Sequence, residues 1–275
     1  MPVVVTGASG FVGRHAVRAF NRVSPEVRAY VRRKESAGEL RDLGAKVAVG
    51  WIGDVETLAA VMDGAHTVCH LVGGVHHPDE RRLEEALLGS LGPVLNAAGM
   101  AGVRRLLFLS YPGASPDARN LVLRLAGRAE AAIRAARSAF VIVRSTWIYG
   151  PGGPLPRLAA GSAKTQMWAP VFVEDVANVL AAADDREAVR SGVWGLEGPD
   201  RVTAQEFLRA SAGGPLRRRT RRTRRSAPPE GPVVPAAVAD LLAMDNMGDG
   251  PDAAAEFGVP RTSLAEGLRS SLAAR

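Results

Sequence analysis

Short apolar runs alternate with longer amphipathic stretches through the first half of the chain. The runs are rich in β-branched residues and predict six strands, Val3 to Thr6, Val27 to Val31, Lys46 to Val49, Thr67 to Val72, Arg105 to Ser110 and Phe140 to Arg144. The stretches between them predict helices at Val12 to Val23, Glu56 to Met62, Glu80 to Ala101 and Ala118 to Arg137. Nearly continuous apolar strands that alternate with helices are typical of a parallel sheet covered on both faces. The pattern predicts an α/β fold with a doubly wound parallel sheet.

The regular alternation weakens after about residue 150. Pro151 to Pro156 is rich in turn residues, and the following sequence predicts a helix from Glu174-Asp175, a strand at Val193 to Leu196 and a helix at Thr203 to Ala212. We therefore expect residues 1–150 to form the doubly wound domain. Residues 151–275 are expected to form a smaller, mixed C-terminal segment that completes the fold and a substrate cleft.

Composition narrows the class of protein further. The hydrophobic content is 47% of 275 residues, and no apolar run reaches the roughly 18 residues that cross a bilayer. The chain enters its first strand without a basic leader, so we expect no signal peptide and a cytoplasmic location. Its single cysteine, Cys69, excludes an internal disulfide and lies in a predicted strand, where a buried position is expected.

The formal net charge of +7 comes from one segment of the chain. Seven arginines lie between Arg217 and Arg225, and the rest of the chain is electrically balanced. The segment from Gly213 to Pro235 also holds five prolines, which favours a surface loop. The arginine run lacks interleaved aromatic residues, so nucleic-acid binding is not indicated, whereas an acidic partner stays open. Homo-oligomer formation is also left open by the sequence.

A glycine-rich sequence links the first predicted strand to the first helix. It reads Thr6-Gly7-Ala8-Ser9-Gly10-Phe11-Val12-Gly13. In this context the first glycine allows a tight turn, the second lets the backbone approach a pyrophosphate, and the third permits close packing of helix and strand. The amides and the dipole of the helix then face the anion. The loop predicts a Rossmann unit that binds a nicotinamide dinucleotide.

The end of the second predicted strand normally sets the choice between NAD(H) and NADP(H). An acidic side chain there binds the ribose 2′-hydroxyl, whereas arginines accommodate a 2′-phosphate. This chain has Arg32 and Arg33 at that point, and Arg14 follows the glycine loop. We predict NADP(H), with NAD(H) as the alternative if these arginines are only solvated loop charges.

The sequence resembles the atypical and extended short-chain dehydrogenase/reductases. The glycine loop has their TGxxGxxG form, and His70 to Gly74, Leu107 to Ser110, Val143 to Gly152 and Val171 to Ala177 match their motifs in order. The tail, from Leu242 to Leu264, is similar to the subgroup of the complex I nucleotide-binding accessory subunit and NmrA-like proteins. The loop, the arginines and the resemblance together imply these cofactor-binding residues: Thr6, Gly7, Ser9, Gly10, Phe11, Val12, Gly13, Arg14, Arg32, Arg33, Trp51, Ile52, Leu71, Val72, Gly73 and Ser110.

Two departures from the family pattern matter for function. The helix after the fifth strand lacks Tyr-x-x-x-Lys; the expected tyrosine falls near Val122 or Leu123 and the lysine near Ala126 or Gly127. In relatives the lysine lowers the pKa of the tyrosine for proton exchange with the substrate. After the third strand Trp51 replaces the usual aspartate, either as a wall of the adenine site or as core filler. Asp54 is predicted to cap the next helix.

Other side chains could take part in chemistry. Ser110 and Tyr111, at the end of the fifth strand, are candidate catalytic residues, with a strand-end cap and a packed loop aromatic as the alternatives. His76, His77 and Tyr149 are expected at the substrate cleft, although the histidines also suit a surface loop and Tyr149 a structural position beneath its turn. The histidines lack companion ligands, so no metal site is predicted.

The sequence therefore leaves three functions open. The first is an NADP(H)-dependent oxidoreductase that reduces a small organic carbonyl or activated double bond without a tyrosine–lysine pair. The second is a non-catalytic NAD(P)-binding redox sensor or scaffold protein. The third is a cofactor-retaining epimerase or cyclase, since the same scaffold hosts such chemistry.

Overall fold

A central sheet of seven parallel strands organises the computed structural model, which describes residues 1–75, 79–160, 165–184, 191–213 and 234–273. The strands are β1 (Val3–Thr6), β2 (Val27–Val31), β3 (Lys46–Val49), β4 (Thr67–His70), β5 (Arg105–Ser110), β6 (Ala139–Ser145) and β10 (Gly192–Leu196). They lie in the order β3, β2, β1, β4, β5, β6, β10. All six predicted strands of the first half are confirmed, although β4 ends two residues before the predicted Val72. The doubly wound fold is therefore confirmed.

Helices cover both faces of this sheet. They are α1 (Phe11–Val23), α2 (Ala37–Asp42), α3 (Val55–Met62), α4 (Glu80–Glu84), α5 (Leu91–Met100), α6 (Leu121–Ala135), α7 (Leu155–Leu158) and α8 (Val173–Ala182). Side chains of α1, α2 and α8 fill the core on one face, and those of α3, α5 and α6 fill it on the other. The central strands are thus buried from both sides, as their composition predicts, whereas the edge strand β3 has no fully buried residue.

Two helical features differ from the prediction. The single helix expected from Glu80 to Ala101 is divided, because a π-helical turn at Glu85–Gly89 separates α4 from α5. The helix α2 was not predicted, and it follows a 3₁₀ turn at Lys34–Ser36. Only two of its six residues, Ala37 and Leu40, are buried, so its apolar signal is short.

The chain after residue 150 both extends the main sheet and forms a smaller layer beside it. The predicted strand near Val193 is β10, which pairs in parallel with β6 from Gly192 opposite Val141. Short strands β7 (Ile148–Tyr149) and β9 (Val171–Phe172) form one ribbon, and β8 (Met167–Trp168) and β11 (Val202–Thr203) form another. The C-terminal helices are α9 (Ala204–Ser211), α10 (Ala236–Leu242), α11 (Ala253–Glu256) and α12 (Leu264–Ala273).

Some sequence expectations concern residues outside the described ranges. The arginine run from Arg217 to Arg225 lies there, as do His76 and His77. In the ranges that are described, none of the helices combines the length and the apolar character that crossing a membrane requires.

Candidate functional site

The glycine loop joins the end of β1 to the start of α1 at the centre of the sheet. Gly7 has a φ of +73°, which lies in the left-handed region that glycine adopts without strain. A methyl group at Gly7 would lie 2.7 Å from the carbonyl carbon of Leu71, and one at Gly13 would overlap the Gly7 carbonyl oxygen. Gly7 and Gly13 therefore allow the loop to pack directly against the backbone after β4 and against itself.

The amino terminus of α1 forms an anion-binding cradle. Gly10 precedes the helix, and no side chain caps the first-turn amides. No acidic residue lies in that turn either. The helix starts beside the β1–β4 boundary, where the strand order reverses, which is where doubly wound folds bind dinucleotides. The free amides and the positive end of the helix dipole suit the pyrophosphate of such a cofactor.

Three arginines follow β1 and β2: Arg14 lies in the first turns of α1, and Arg32 and Arg33 come directly after β2. Arg32 and Arg33 are exposed and form no hydrogen bond or ion pair with any described residue. Arg14 donates from Nη1 to the Ser9 carbonyl at 2.9 Å, and its Nε lies 3.2 Å from Oε1 of Glu39 on α2. These three guanidinium groups provide charge that a 2′-phosphate would match.

Trp51 lies at the same end of the sheet, just beyond β3. Trp51 is 67% exposed to solvent, so it does not fill the hydrophobic core. The Tyr30 hydroxyl donates to the Trp51 carbonyl at 3.0 Å and fixes the backbone there. Because Val31 pairs with Val49, Trp51 follows level with the arginines after β2. An exposed indole in this position can serve as a wall for the adenine ring.

The buried side chain of His70 is hydrogen-bonded to Thr6, the first residue of the glycine loop. The Thr6 hydroxyl lies 2.7 Å from Nδ1 of His70, and the Ser90 hydroxyl lies 3.2 Å from Nε2. Since the Ser90 hydroxyl donates to the Ala86 carbonyl, it accepts from Nε2–H, and Thr6 donates to Nδ1. Burial lowers the pKa of His70 to about 4, so the ring is neutral at physiological pH. The network ties β1 to the π-helical turn.

Ser110 belongs to a second network of buried hydrogen bonds. Its hydroxyl donates to Oε1 of Glu130 at 2.7 Å, and Glu130 is 1% exposed. Arg144 donates to both oxygens of Glu130 at 2.8 Å and to Asp249 at 2.9 Å. The Ser110 proton is therefore committed to a carboxylate, so the hydroxyl can only accept a hydrogen bond from another group.

Gly127, one of the two positions at which the sequence places the absent lysine, lies directly against another part of the chain. A methyl group at Gly127 would overlap the backbone of Ser115 and Pro116. The Ser115 amide also donates to the Leu123 carbonyl at 3.2 Å. The loop after Tyr111 is thus packed directly onto α6, where relatives place their catalytic pair.

The two tyrosines near the expected substrate side have different surroundings. Tyr111 is partly buried, and its hydroxyl lies 3.3 Å from the Gly73 carbonyl. Desolvation raises the pKa of Tyr111, so its phenol is neutral. Tyr149 is 1% exposed, and its hydroxyl lies 3.4 Å from the Ser263 carbonyl, which agrees with the structural alternative. Tyr149, Phe207 and Leu268 also line a cavity of about 160 Å³.

Several smaller expectations can be compared with the structure. Asp54 caps α3 through the Thr57 amide, as predicted, and Cys69 is fully buried. Asp175 is held by Thr262, whose amide and hydroxyl both donate at 2.7 Å. No cluster of histidine, cysteine, aspartate and glutamate within the described ranges could hold a metal ion. The sequence did not reveal the hydrogen-bonded networks of His70, Glu130 and Arg144, for which polar residues within mostly apolar segments were the available signal.

Comparison with known proteins agrees with this geometry. A family model described as NAD(P)H-binding matches residues 7–187. Ceramide reductase of Caulobacter vibrioides is 34% identical over 191 residues, which is 66% of this chain and 60% of that protein. The mitochondrial NADH dehydrogenase [ubiquinone] 1 alpha subcomplex subunit 9 of Arabidopsis thaliana is 28% identical, with 74% and 55% coverage. The chain thus spans about half to three fifths of the length of these curated relatives.

Solved structures share the fold over nearly the whole chain. Triphenylmethane reductase from Citrobacter, solved with NADP(H), superposes with a TM-score of 0.72 at 19% identity, covering 98% of this chain and 99% of its own. An NADPH-dependent quinone oxidoreductase from Escherichia coli, solved with NADPH, gives 0.70 at 17% identity, covering 97% and 98%. Together with the family match, the glycine loop and the strand order, these findings identify the chain as a member of the NAD(P)H-binding family of atypical short-chain dehydrogenase/reductases.

Proposed function

We propose that the protein is an NADP(H)-dependent reductase that acts on a small organic carbonyl or activated double bond. The observation that carries the proposal is the uncapped start of α1, framed by Gly7 and Gly13 at the point where the strand order reverses. Arg32 and Arg33, which have no partner among the described residues, favour the phosphorylated cofactor over NAD(H). When bound, NADPH supplies the hydride; the residues of this chain bind and orient it and the acceptor.

The absence of a tyrosine–lysine pair favours a particular class of acceptor. General acid assistance contributes about 10² to 10⁴-fold to proton transfer, which an isolated ketone needs most. A conjugated acceptor such as a quinone, an enone or an azo compound spreads the added negative charge and can take its proton from water. Names of similar proteins agree with this class, including NAD(P)H azoreductase of Xenophilus azovorans, which is 25% identical over 230 residues.

Tyr111 is the side chain that we assign to the acceptor. Its phenol stays protonated because burial raises its pKa, and its contact with the Gly73 carbonyl is long at 3.3 Å. The hydroxyl can therefore exchange that partner for an acceptor oxygen. Ser110 has the complementary role: its proton is held by Glu130, so it accepts a hydrogen bond from the cofactor or the substrate.

The proposal is tested by following NADPH oxidation at 340 nm with quinones, enones, azo dyes and simple ketones. We expect turnover of conjugated acceptors, at least tenfold faster than of simple ketones. Tyr111→Phe should lower kcat by about tenfold and leave the NADPH dissociation constant unchanged. Turnover that is identical in wild type and Tyr111→Phe would remove the assigned role of this tyrosine.

One observation favours a second function, a non-catalytic NADP(H) sensor or scaffold protein. The loop at Ser115–Pro116 packs against Gly127, one of the two positions at which the sequence places the absent lysine, and leaves no room there for a side chain. The same assay separates the two functions. Tight NADPH binding with no oxidation by any acceptor would favour the sensor and contradict the reductase.

A further inference from the structure

We propose that Glu39 tunes the preference for NADPH over NADH by competing with the 2′-phosphate for Arg14. The inference rests on the proposed function, because it concerns the cofactor of the same site. It adds a residue of α2 to a specificity site otherwise built from Arg14 of α1 and the arginines after β2.

The position of Arg14 is fixed from two sides. Its Nη1 donates to the Ser9 carbonyl inside the glycine loop at 2.9 Å. Its Nε lies 3.2 Å from Oε1 of Glu39. A guanidinium has five N–H donors in a rigid fork, so Arg14 can keep its bond to Ser9 while another donor turns to a new anion. Glu39 therefore occupies a donor that a phosphate could use.

Glu39 is distinctive among the charges at this end of the sheet. Glu39 forms an ion pair with Arg14, whereas Arg32 and Arg33 have no partner among the described residues. Its side chain is 61% exposed and that of Arg14 is 35% exposed. Exposed pairs of this kind are weak, so a phosphate with more negative charge can displace the carboxylate. The displaced carboxylate still lies near the phosphate and repels it.

This competition acts on one cofactor only. NADPH carries the 2′-phosphate and meets both the occupied Arg14 and the charge of Glu39. NADH has a neutral 2′-hydroxyl in that position, so the Glu39 charge affects it little. Removal of the charge should therefore change the ratio of the two affinities rather than both together.

The test is isothermal titration of NADPH and NADH into wild type, Glu39→Gln and Asp42→Asn. Asp42 is a matched control, because it is an exposed carboxylate of the same helix with no described partner. We expect Glu39→Gln to tighten NADPH binding by about twofold to fivefold and to leave NADH unchanged. Asp42→Asn should change neither affinity, and the effect of Glu39→Gln should disappear when Arg14 is also replaced by alanine.

The outcomes distinguish this inference from the function on which it rests. An unchanged ratio of affinities in Glu39→Gln, or weaker NADPH binding, would overturn the competition while NADPH binding itself stands. The same gain in Asp42→Asn would show a general charge effect and would also overturn it. Failure of the wild type to bind either nucleotide would refute the proposed function, and this inference with it.

Discussion

Gly127 on α6 tests how closely the loop at Ser115–Pro116 packs against this helix. We predict that Gly127→Ala strongly destabilises the protein, although alanine is the better helix former. The new methyl group would overlap the carbonyl carbon of Ser115 and the amide nitrogen of Pro116, and it would lie 2.5 Å from the Ser115 Cα. These are backbone atoms, so no side chain can rotate away to make room.

The expected magnitude follows from two opposing terms. Replacing a helical glycine by alanine gains about 0.5–1 kcal/mol through backbone entropy. Overpacking in a rigid core costs about 1–3 kcal/mol, and more where the backbone must shift. Since three backbone atoms are involved, we expect a net loss of at least about 2 kcal/mol in the free energy of unfolding.

Gly99 provides a matched control for this measurement. It lies in α5, and a methyl group there would meet no atom within 4 Å. Urea unfolding followed by circular dichroism should show a lower midpoint for Gly127→Ala and an equal or higher midpoint for Gly99→Ala. Equal midpoints for the two variants would refute the view that Ser115–Pro116 is packed against α6.

Three further predictions concern the cofactor loop and the two buried networks. Gly13→Ala should weaken NADPH binding at least about tenfold in calorimetry, because its methyl group would push the Gly7 carbonyl out of the cradle; unchanged affinity would contradict this. The unfolded chain protonates His70 near pH 6.5, whereas burial lowers the pKa of His70 to about 4 in the folded protein. The unfolding free energy should therefore fall by up to about 3 kcal/mol as pH drops through that window, and His70→Asn should remove this component of the slope in urea titrations. Glu130→Gln should cost about 3 kcal/mol of stability, because Arg144 loses a buried partner, and a loss below about 1 kcal/mol would contradict the network.

The sequence predicted the central fold because its signals are local. Each of the six strands is a short run rich in apolar, β-branched residues, so the strands could be located from the local sequence pattern alone. The helix α2 has only Ala37 and Leu40 on its buried side and could not be distinguished from a charged loop. The π-helical turn at Glu85–Gly89 has no sequence signal of its own, and the predicted helix therefore continued across it.

The same difference between local signals and tertiary contacts applies to the candidate site. The glycine loop and the arginines after β2 depend on neighbouring residues, so the sequence was sufficient to propose them. The partners of Ser110 depend on tertiary contacts: Glu130 lies on the next helix, and Asp249 reaches Arg144 from 105 residues away. Residue type alone could not show that the Ser110 proton is already taken.

We propose that this chain holds NADP(H) on its glycine loop with help from the arginines after β2. Calorimetric titration of NADPH and NADH into the wild type and Arg32→Ala measures this binding and its preference for the phosphorylated cofactor. We predict that the wild type binds NADPH more tightly than NADH and that Arg32→Ala weakens NADPH alone, by about tenfold. Equal affinities for both nucleotides, unchanged by the substitution, would contradict the assignment.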